Sequence, residues 1–389
     1  MLNSFEKNII ALVKSSLDGT APSISEGLDL EVVYDFSQKM QITPLLYYGI
    51  EKIPGVFDTM AGKKFLKSFV TYSFICQNQK AEFDRILSAF NEKKIDHMPL
   101  KGAVIRDLYP HMEMRLMSDA DILVRSEQYE RQKKIMLENG YKEIVESDHE
   151  YVWEKKNTHI ELHKRLIPSY NKDYYAYFGD GWKLACLENG SESKYRMQKE
   201  DELIYIFVHY AKHYRDAGIG IKHITDFYMY LKKYTDINWK YVECELKKLK
   251  LLEFWKNTRS LVDVWFYDKE CDEITAHMTH KIFSGGAYGT YEAHVLSEGV
   301  KISKKTKNVR RKALLRSIFP SFQDMKQEYK FLSRVSVLYP LTWVFRWISV
   351  IFNPKKILRK KRNLEALSAK NIKNYQDELN YVGLDYNFK

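Results

Sequence analysis

PLKGAVIRDLYPHMEMRLMSDADILV, Pro99–Val124, interrupts a chain whose pattern is helical on both sides of it. Asp119 and Asp121 stand one residue apart inside an apolar run, where charge is costly unless something compensates it. Ser118–Val124 reads as a strand. Alternation then puts Asp119 and Asp121 on one face and Ala120 and Ile122 on the other. Two carboxylates this close repel, and they stay ionised together only with a cation or several donors between them. Mg2+ suits that place, as a hard cation that takes one or two carboxylates plus substrate phosphates. The plain alternative is a pair of exposed acids at a strand edge, or an Asx-turn with a salt bridge to Arg115.

Downstream, HIELHKRL spans 159–166 and places Glu161 and His163 two apart, on one strand face. If that strand neighbours the aspartates, Glu161 completes a three-carboxylate cluster for two metal ions, or acts as base toward an attacking hydroxyl. A solvated strand face is the bland reading. Upstream, Lys101 and Gly102 lie between a short strand and a helical turn. There a glycine lets backbone approach phosphate, a helix N-terminus adds partial positive charge, and Lys101 supplies a point charge. A routine strand-to-helix turn explains them equally well.

The rest of the chain frames this segment. Helical spacing covers 2–17, 28–40, 43–52 and 63–93, the last with Phe65, Phe69, Tyr72, Cys76, Phe83, Ile86 and Phe90 along it. A helix follows with Ser126 as N-cap and Gly140 as its stop, then three strands at 141–145, 150–155 and 159–166. From Asp201 the pattern is helical again, with 238–266 reading as one stretch. The organisation expected is α+β: a helical region 1–94, a small mixed sheet in 95–200, a helical domain 201–300 and a basic helical tail 301–389.

His209 and His213 lie four apart on one helical face, with Lys212 beside them. No Glu follows His209, so the HExxH protease pattern is missing. The three residues fit a cleft lining that contacts phosphate or acceptor; histidines bonded to backbone are the alternative, and Asp226 is a partner for one of them. SGGAYGT, 284–290, reads as a flexible turn rather than a nucleotide loop.

The chain has 389 residues and a net charge of +11. Much of the excess sits in 301–312 and 355–362, away from the carboxylates and without an RNA-binding motif, which argues against nucleic acid as the partner. Between these runs, 335–352 is apolar but broken by Pro340 and Arg346, which disfavours spanning a bilayer. It reads either as a core helix or as an interfacial helix with a polybasic anchor, giving peripheral contact at the inner membrane surface. Four cysteines without metal or CxxC spacing, and an N-terminus without signal-peptide character, point to the cytoplasm.

Arg115, Ser118, Asp119 and Asp121 in RLMSDADILV resemble the Arg-x-x-Ser-Asp-x-Asp signature of the polymerase-beta-like nucleotidyltransferase superfamily. More narrowly, PLKGAVIRDLYP, MRLMSDADILV, IELHKRL, VHYAKH and GAYGT together resemble a bacterial family described only as uncharacterised nucleotidyltransferases, over most of 40–300. The resemblance implies that Asp119 and Asp121 hold Mg2+, that Glu161 is the third carboxylate and that Gly102 lies by the triphosphate of an NTP such as ATP. It further implies transfer of a nucleoside monophosphate to a hydroxyl or phosphate acceptor. Two departures stand out: the usual Gly-Ser is Lys-Gly-Ala here, and the third acid is Glu rather than Asp. A binding or regulatory protein on a catalytically idle version of the fold is the rival.

Overall fold

The computed structural model describes residues 1–384 apart from positions 26, 307, 323, 324, 326–328 and 334. The last five residues of the expected tail thus lie outside the described residues. Three helices, α1 (Ser4–Asp18), α2 (Leu30–Met40) and α3 (Thr43–Ile50), precede the long α4 (Met60–Glu92). Then come β1 (His97–Pro99), the one-turn α5 (Gly102–Ile105), β2 (Ala120–Val124), α6 (Tyr129–Glu138), β3 (Lys142–Glu146), β4 (Glu150–Lys155) and β5 (Thr158–His163). These strands form a five-stranded mixed sheet of order β1-β2-β5-β4-β3, so the fold is α+β. β2 and β5 run parallel; the other pairings are antiparallel.

The period-2 pattern separates the two faces of this sheet. Ile122, Val124, Ile160, Leu162 and Trp153 pack on Phe83, Ile86 and Phe90 of α4 and on Ile135 and Met136 of α6. Each fully buried side chain of this size contributes about 1.5–3 kcal/mol. The opposite face carries Asp121, Glu161, His163 and Glu150. It looks toward the helices that follow: α7 (Lys172–Phe178), the small β6 (Ala185–Leu187) and β7 (Tyr195–Met197) hairpin, then α8 (Lys199–Asp216) and α9 (Lys222–Lys233). The remaining helices are α10 (Trp239–Lys248), α11 (Leu252–Phe266), α12 (Glu273–Gly285), α13 (Tyr291–Ser303), α14 (Val309–Ile318), α15 (Tyr339–Ile351), α16 (Pro354–Ala366) and α17 (Ala369–Tyr381). One hydrophobic cluster runs from Ile9 and Leu12 of α1 through Phe65 of α4 to Phe207, Phe227 and Phe254. The helix α4 therefore serves both cores, Phe65 in one and Phe83, Ile86 and Phe90 in the other.

Several sequence expectations change here. Asp119 lies just outside β2, which starts at Ala120. Ser126 opens a 3-10 turn, and α6 begins after it at Tyr129 without a side-chain cap. The expected single stretch 238–266 is two helices, because Lys250 turns the chain with φ +57°. The Gly-rich 284–290 segment is a turn between α12 and α13, and it packs on backbone. The Thr290 N–H donates to the Ala217 carbonyl at 2.7 Å, and a Cβ on Gly289 would meet that oxygen at 1.9 Å. Glycine is needed because two backbones touch, and the contact joins the α8–α9 turn to the turn between α12 and α13.

No helix among the described residues is long and apolar enough to cross a membrane. In α15, Trp343 and Trp347 donate their indole N–H to the carbonyls of Pro320 and Ile318, at 3.2 and 2.7 Å. That face is half-buried against the 318–320 segment, short of the burial a core helix would have. Leu341, Val344, Phe345, Ile348 and Phe352 form a stripe on another face and stay exposed, Phe345 at 59% and Phe352 at 82%.

Candidate functional site

Asp121 is the hub of the site. Parallel pairing sets it in register with Glu161, so both side chains leave the same face of the sheet. His163, two residues further along β5, is fully buried and its Nε2 lies 2.5 Å from Asp121 Oδ1. Lys101 Nζ donates to the same oxygen at 3.1 Å. Lys101 reaches it from a left-handed backbone, φ +48°, just after β1. Burial opposes the Asp121 charge, but Lys101 and His163 outweigh it and hold the carboxyl well below the usual range. Burial likewise opposes the Lys101 charge, and Asp121, Tyr205 and Asp119 outweigh it, so the ammonium is held above the ordinary lysine value. For His163, burial and Lys101 work against protonation and Asp121 prevails, raising it.

Asp119 differs. It sits at the mouth of the site, its Oδ1 accepting from Ser118 Oγ at 3.2 Å. Desolvation, then Asp121 and Glu161, push its carboxyl up. A divalent cation would relieve that repulsion. The donor atoms of Asp121, Glu161 and His163 lie within 4.8 Å of one another, and the oxygens among them are hard ligands of the kind Mg2+ takes.

Across from the carboxylates lies a wall of basic side chains from α8 and α9. His209 and His213 face each other with Nε2 to Nε2 at 3.1 Å, rather than bonding to backbone. Burial, then neighbouring positive groups, holds both in the neutral form; His213 is lowered to about 3. Burial and Lys101 bring Lys212 down to about 8, and burial and Arg115 do the same to Lys222. Among the described residues neither lysine has a carboxylate within salt-bridge distance. The site thus pairs an acidic floor with a wall whose two lysines are not held in salt bridges of their own.

Arg115 and Gly102 have structural partners. Arg115 Nε and Nη2 donate to the two oxygens of Asp226, each at 2.9 Å, and Tyr109 OH donates to Asp226 Oδ1 at 2.7 Å. Asp226 is therefore taken up by Arg115 and Tyr109, not by a histidine. The guanidinium lies across Gly102, where a Cβ would meet Arg115 Nη1 at 2.6 Å. Glycine is thus required by this packing, and with α5 a single turn the dipole contribution expected at its start is small. Sequence reading missed Lys222, Tyr205, His149 and Glu150. None stands at a spacing that ties it to Asp121; only the helix crossing and the β3–β4 hairpin bring them close.

The family described as uncharacterised nucleotidyltransferase matches residues 26–267, more than half of the chain and all of the site described above. No curated protein matches the chain. Among solved structures, the solution structure of the antibiotic-resistance factor ANT(2'')-Ia is similar over 50% of this chain and 100% of that one. The identity is 13% and the TM-score 0.33.

Proposed function

Because the chain belongs to the uncharacterised nucleotidyltransferase family, we propose that it moves a nucleoside monophosphate from an NTP to a hydroxyl or phosphate acceptor, in the manner of the polymerase-beta-like superfamily. The observation that carries this reading is the in-register Asp121–Glu161 pair facing the under-neutralised Lys212 and Lys222. In this reading Asp119, Asp121 and Glu161 hold Mg2+, two ions in the full cluster. When bound, the metal supplies charge neutralisation of the phosphates and alignment for in-line displacement.

The protein's own groups do the remainder. Lys101, Lys212 and Lys222 receive the triphosphate, whose negative charge favours the ammonium form of Lys212 and Lys222 that burial opposes. The neutral His209 and His213 line the same wall; with their Nε2 atoms bonded to each other, the pair keeps one free N–H and one lone pair for phosphate or acceptor. Ser118 steadies Asp119, and Gly102 with Arg115 sets the turn from which Lys101 reaches inward. An acceptor oxygen forms a bond to the α-phosphorus, the bond to the bridging oxygen breaks, and pyrophosphate leaves. An acceptor hydroxyl passes its proton to Glu161.

The test is incubation with each α-labelled NTP, Mg2+ and a cell extract. Label should appear on one acceptor class and pyrophosphate should be released in equal amount; labelling that proceeds equally without Mg2+ refutes the reading. One observation favours a second reading. Asp121 is already neutralised by Lys101 and His163, as it would be in a nucleotide-binding protein that does no chemistry. Tight NTP binding without pyrophosphate release under the same conditions would select it.

The tail fits a peripheral place at an anionic lipid surface on the cytoplasmic side. The exposed stripe Leu341, Val344, Phe345, Ile348 and Phe352 is followed by Lys355, Arg359, Lys361 and Arg362, all exposed. An apolar face beside a basic cluster is the pattern of interfacial helices, and each basic residue near such a surface contributes about 1 kcal/mol. The protein should pellet with anionic vesicles and stay in the supernatant with neutral ones, and Phe345→Asp should release it. Absence from both pellets with the tail intact would leave the stripe without a lipid role.

A further inference from the structure

Behind the carboxylates, on the far side of the His163 ring, three more donor atoms converge. His163 Nδ1 lies 3.2 Å from His149 Nε2. Glu150 Oε2 lies 3.6 Å from each of these nitrogens. Three ligands about 2.0–2.1 Å from a tetrahedral zinc ion sit roughly 3.3 Å apart, so the triangle already has the size of a zinc site. We propose that His149, Glu150 and His163 form a binding site for a transition-metal dication of the zinc class, with ligand atoms distinct from those of the Asp119, Asp121 and Glu161 cluster and filled without nucleotide.

The surroundings support this. The two imidazoles set the site apart: zinc takes them readily beside a carboxylate, while magnesium takes oxygen ligands. His163 points its other nitrogen, Nε2, at Asp121 Oδ1, 2.5 Å away. A histidine that binds a metal almost always gives its second ring N–H to a carboxylate or carbonyl, which fixes the tautomer and turns the lone pair toward the ion. The three ligands also sit on rigid backbone. Glu150 and His163 are register partners on β4 and β5. His149 is held in the β3–β4 turn, where its carbonyl accepts from the Lys164 N–H at 2.8 Å and its N–H donates to Ser147 Oγ at 3.1 Å. Three protein ligands leave a fourth position for water or a ligand oxygen, as in catalytic rather than structural zinc sites. Through His163 the proposed ion would share a hydrogen bond with Asp121, linking the two sites.

The test uses the full chain without nucleotide, stripped with chelator and dialysed against Zn2+ alone, with Co2+ as a spectroscopic substitute. One equivalent of metal should bind, and Co2+ should show the intense visible bands of a tetrahedral site. Asp121→Asn should weaken binding about 10–100-fold, the usual cost of losing the carboxylate behind a ligating histidine. His149→Ala and Glu150→Gln should weaken it by at least as much, and Asp119→Ala should leave it unchanged. His149→Gln, which keeps the volume of the ring's first atoms, guards against a folding defect, with chelated melting curves as the check. Metal that is lost in Asp119→Ala but retained in His149→Gln and Glu150→Gln would put the ion on the carboxylates and overturn the proposal. So would weak, multiple binding that none of the variants changes. Nucleotidyl transfer can fail in its own assay without affecting either outcome.

Discussion

Asp119→Asn is expected to lower kcat/KM for nucleotidyl transfer by roughly 10²–10³-fold, the scale lost when one preorganised electrostatic contact to a reacting group is removed. The same variant should melt no lower than the parent protein. The two effects separate because Asp119 sits in the site at a cost: desolvation, Asp121 and Glu161 all push its carboxyl up. The sign follows from linkage. A carboxyl raised in the folded state binds more protons there than in the unfolded chain, so stability falls as pH rises through the window above 3.8. Asn has no such charge. The variant should therefore gain on the parent at neutral pH and match it below about pH 3.8, the unperturbed Asp value. Melting curves at several pH values, beside rates of pyrophosphate release, check both halves. A variant with full activity would remove Asp119 from the chemistry. One with lost activity and lost stability would make the role structural.

Asp226→Ala should be the most destabilising single change in the region, by about 3–5 kcal/mol. It leaves the Arg115 guanidinium buried without its carboxylate, and it strips Tyr109 of one acceptor. For a chain of this size the melting temperature should fall by about 4–6 °C. Replacing both partners with apolar residues, Arg115→Met with Asp226→Leu, should recover part of the loss, because the cost lies in the orphaned charge more than in the missing attraction. A double variant as unstable as Asp226→Ala would refute that account. The pair also joins the segment leading into β2, which carries Ser118 and Asp119, to α9, which carries Lys222. Asp226→Ala should accordingly raise KM for the NTP before it lowers kcat.

Part of the site is legible in the sequence alone. Asp121, Glu161 and His163 fall on one face because strand alternation is a local property of the backbone. The register between β2 and β5, which makes Asp121 and Glu161 partners, could only be supposed, since a parallel pairing is made by everything between the two strands. Arg115 illustrates the opposite case. Its place in the Ser-Asp-x-Asp run pointed to the site, but its guanidinium is spent on Asp226, 111 residues later in the chain. Gly102 reads in the sequence as a phosphate turn; the fold adds that it is the flat space on which that guanidinium rests. In the tail, two readings of 335–352 competed; one helix face docks through Trp343 and Trp347 and the other remains open.

What the sequence determined by itself is what depends on near neighbours: the helices and strands, the apolar faces, the Asp119–Asp121 spacing, and the motifs that place residues 26–267 in their family. Tertiary structure alone decided which charges meet. Lys101 and His163 converge on one oxygen of Asp121, and His149 reaches His163 from a hairpin turn. Hydrogen bonds and desolvation act over a few ångströms of space, whatever the distance along the chain. Residues far apart in sequence therefore acquire their protonation states and their ligands only when the helices close over the sheet.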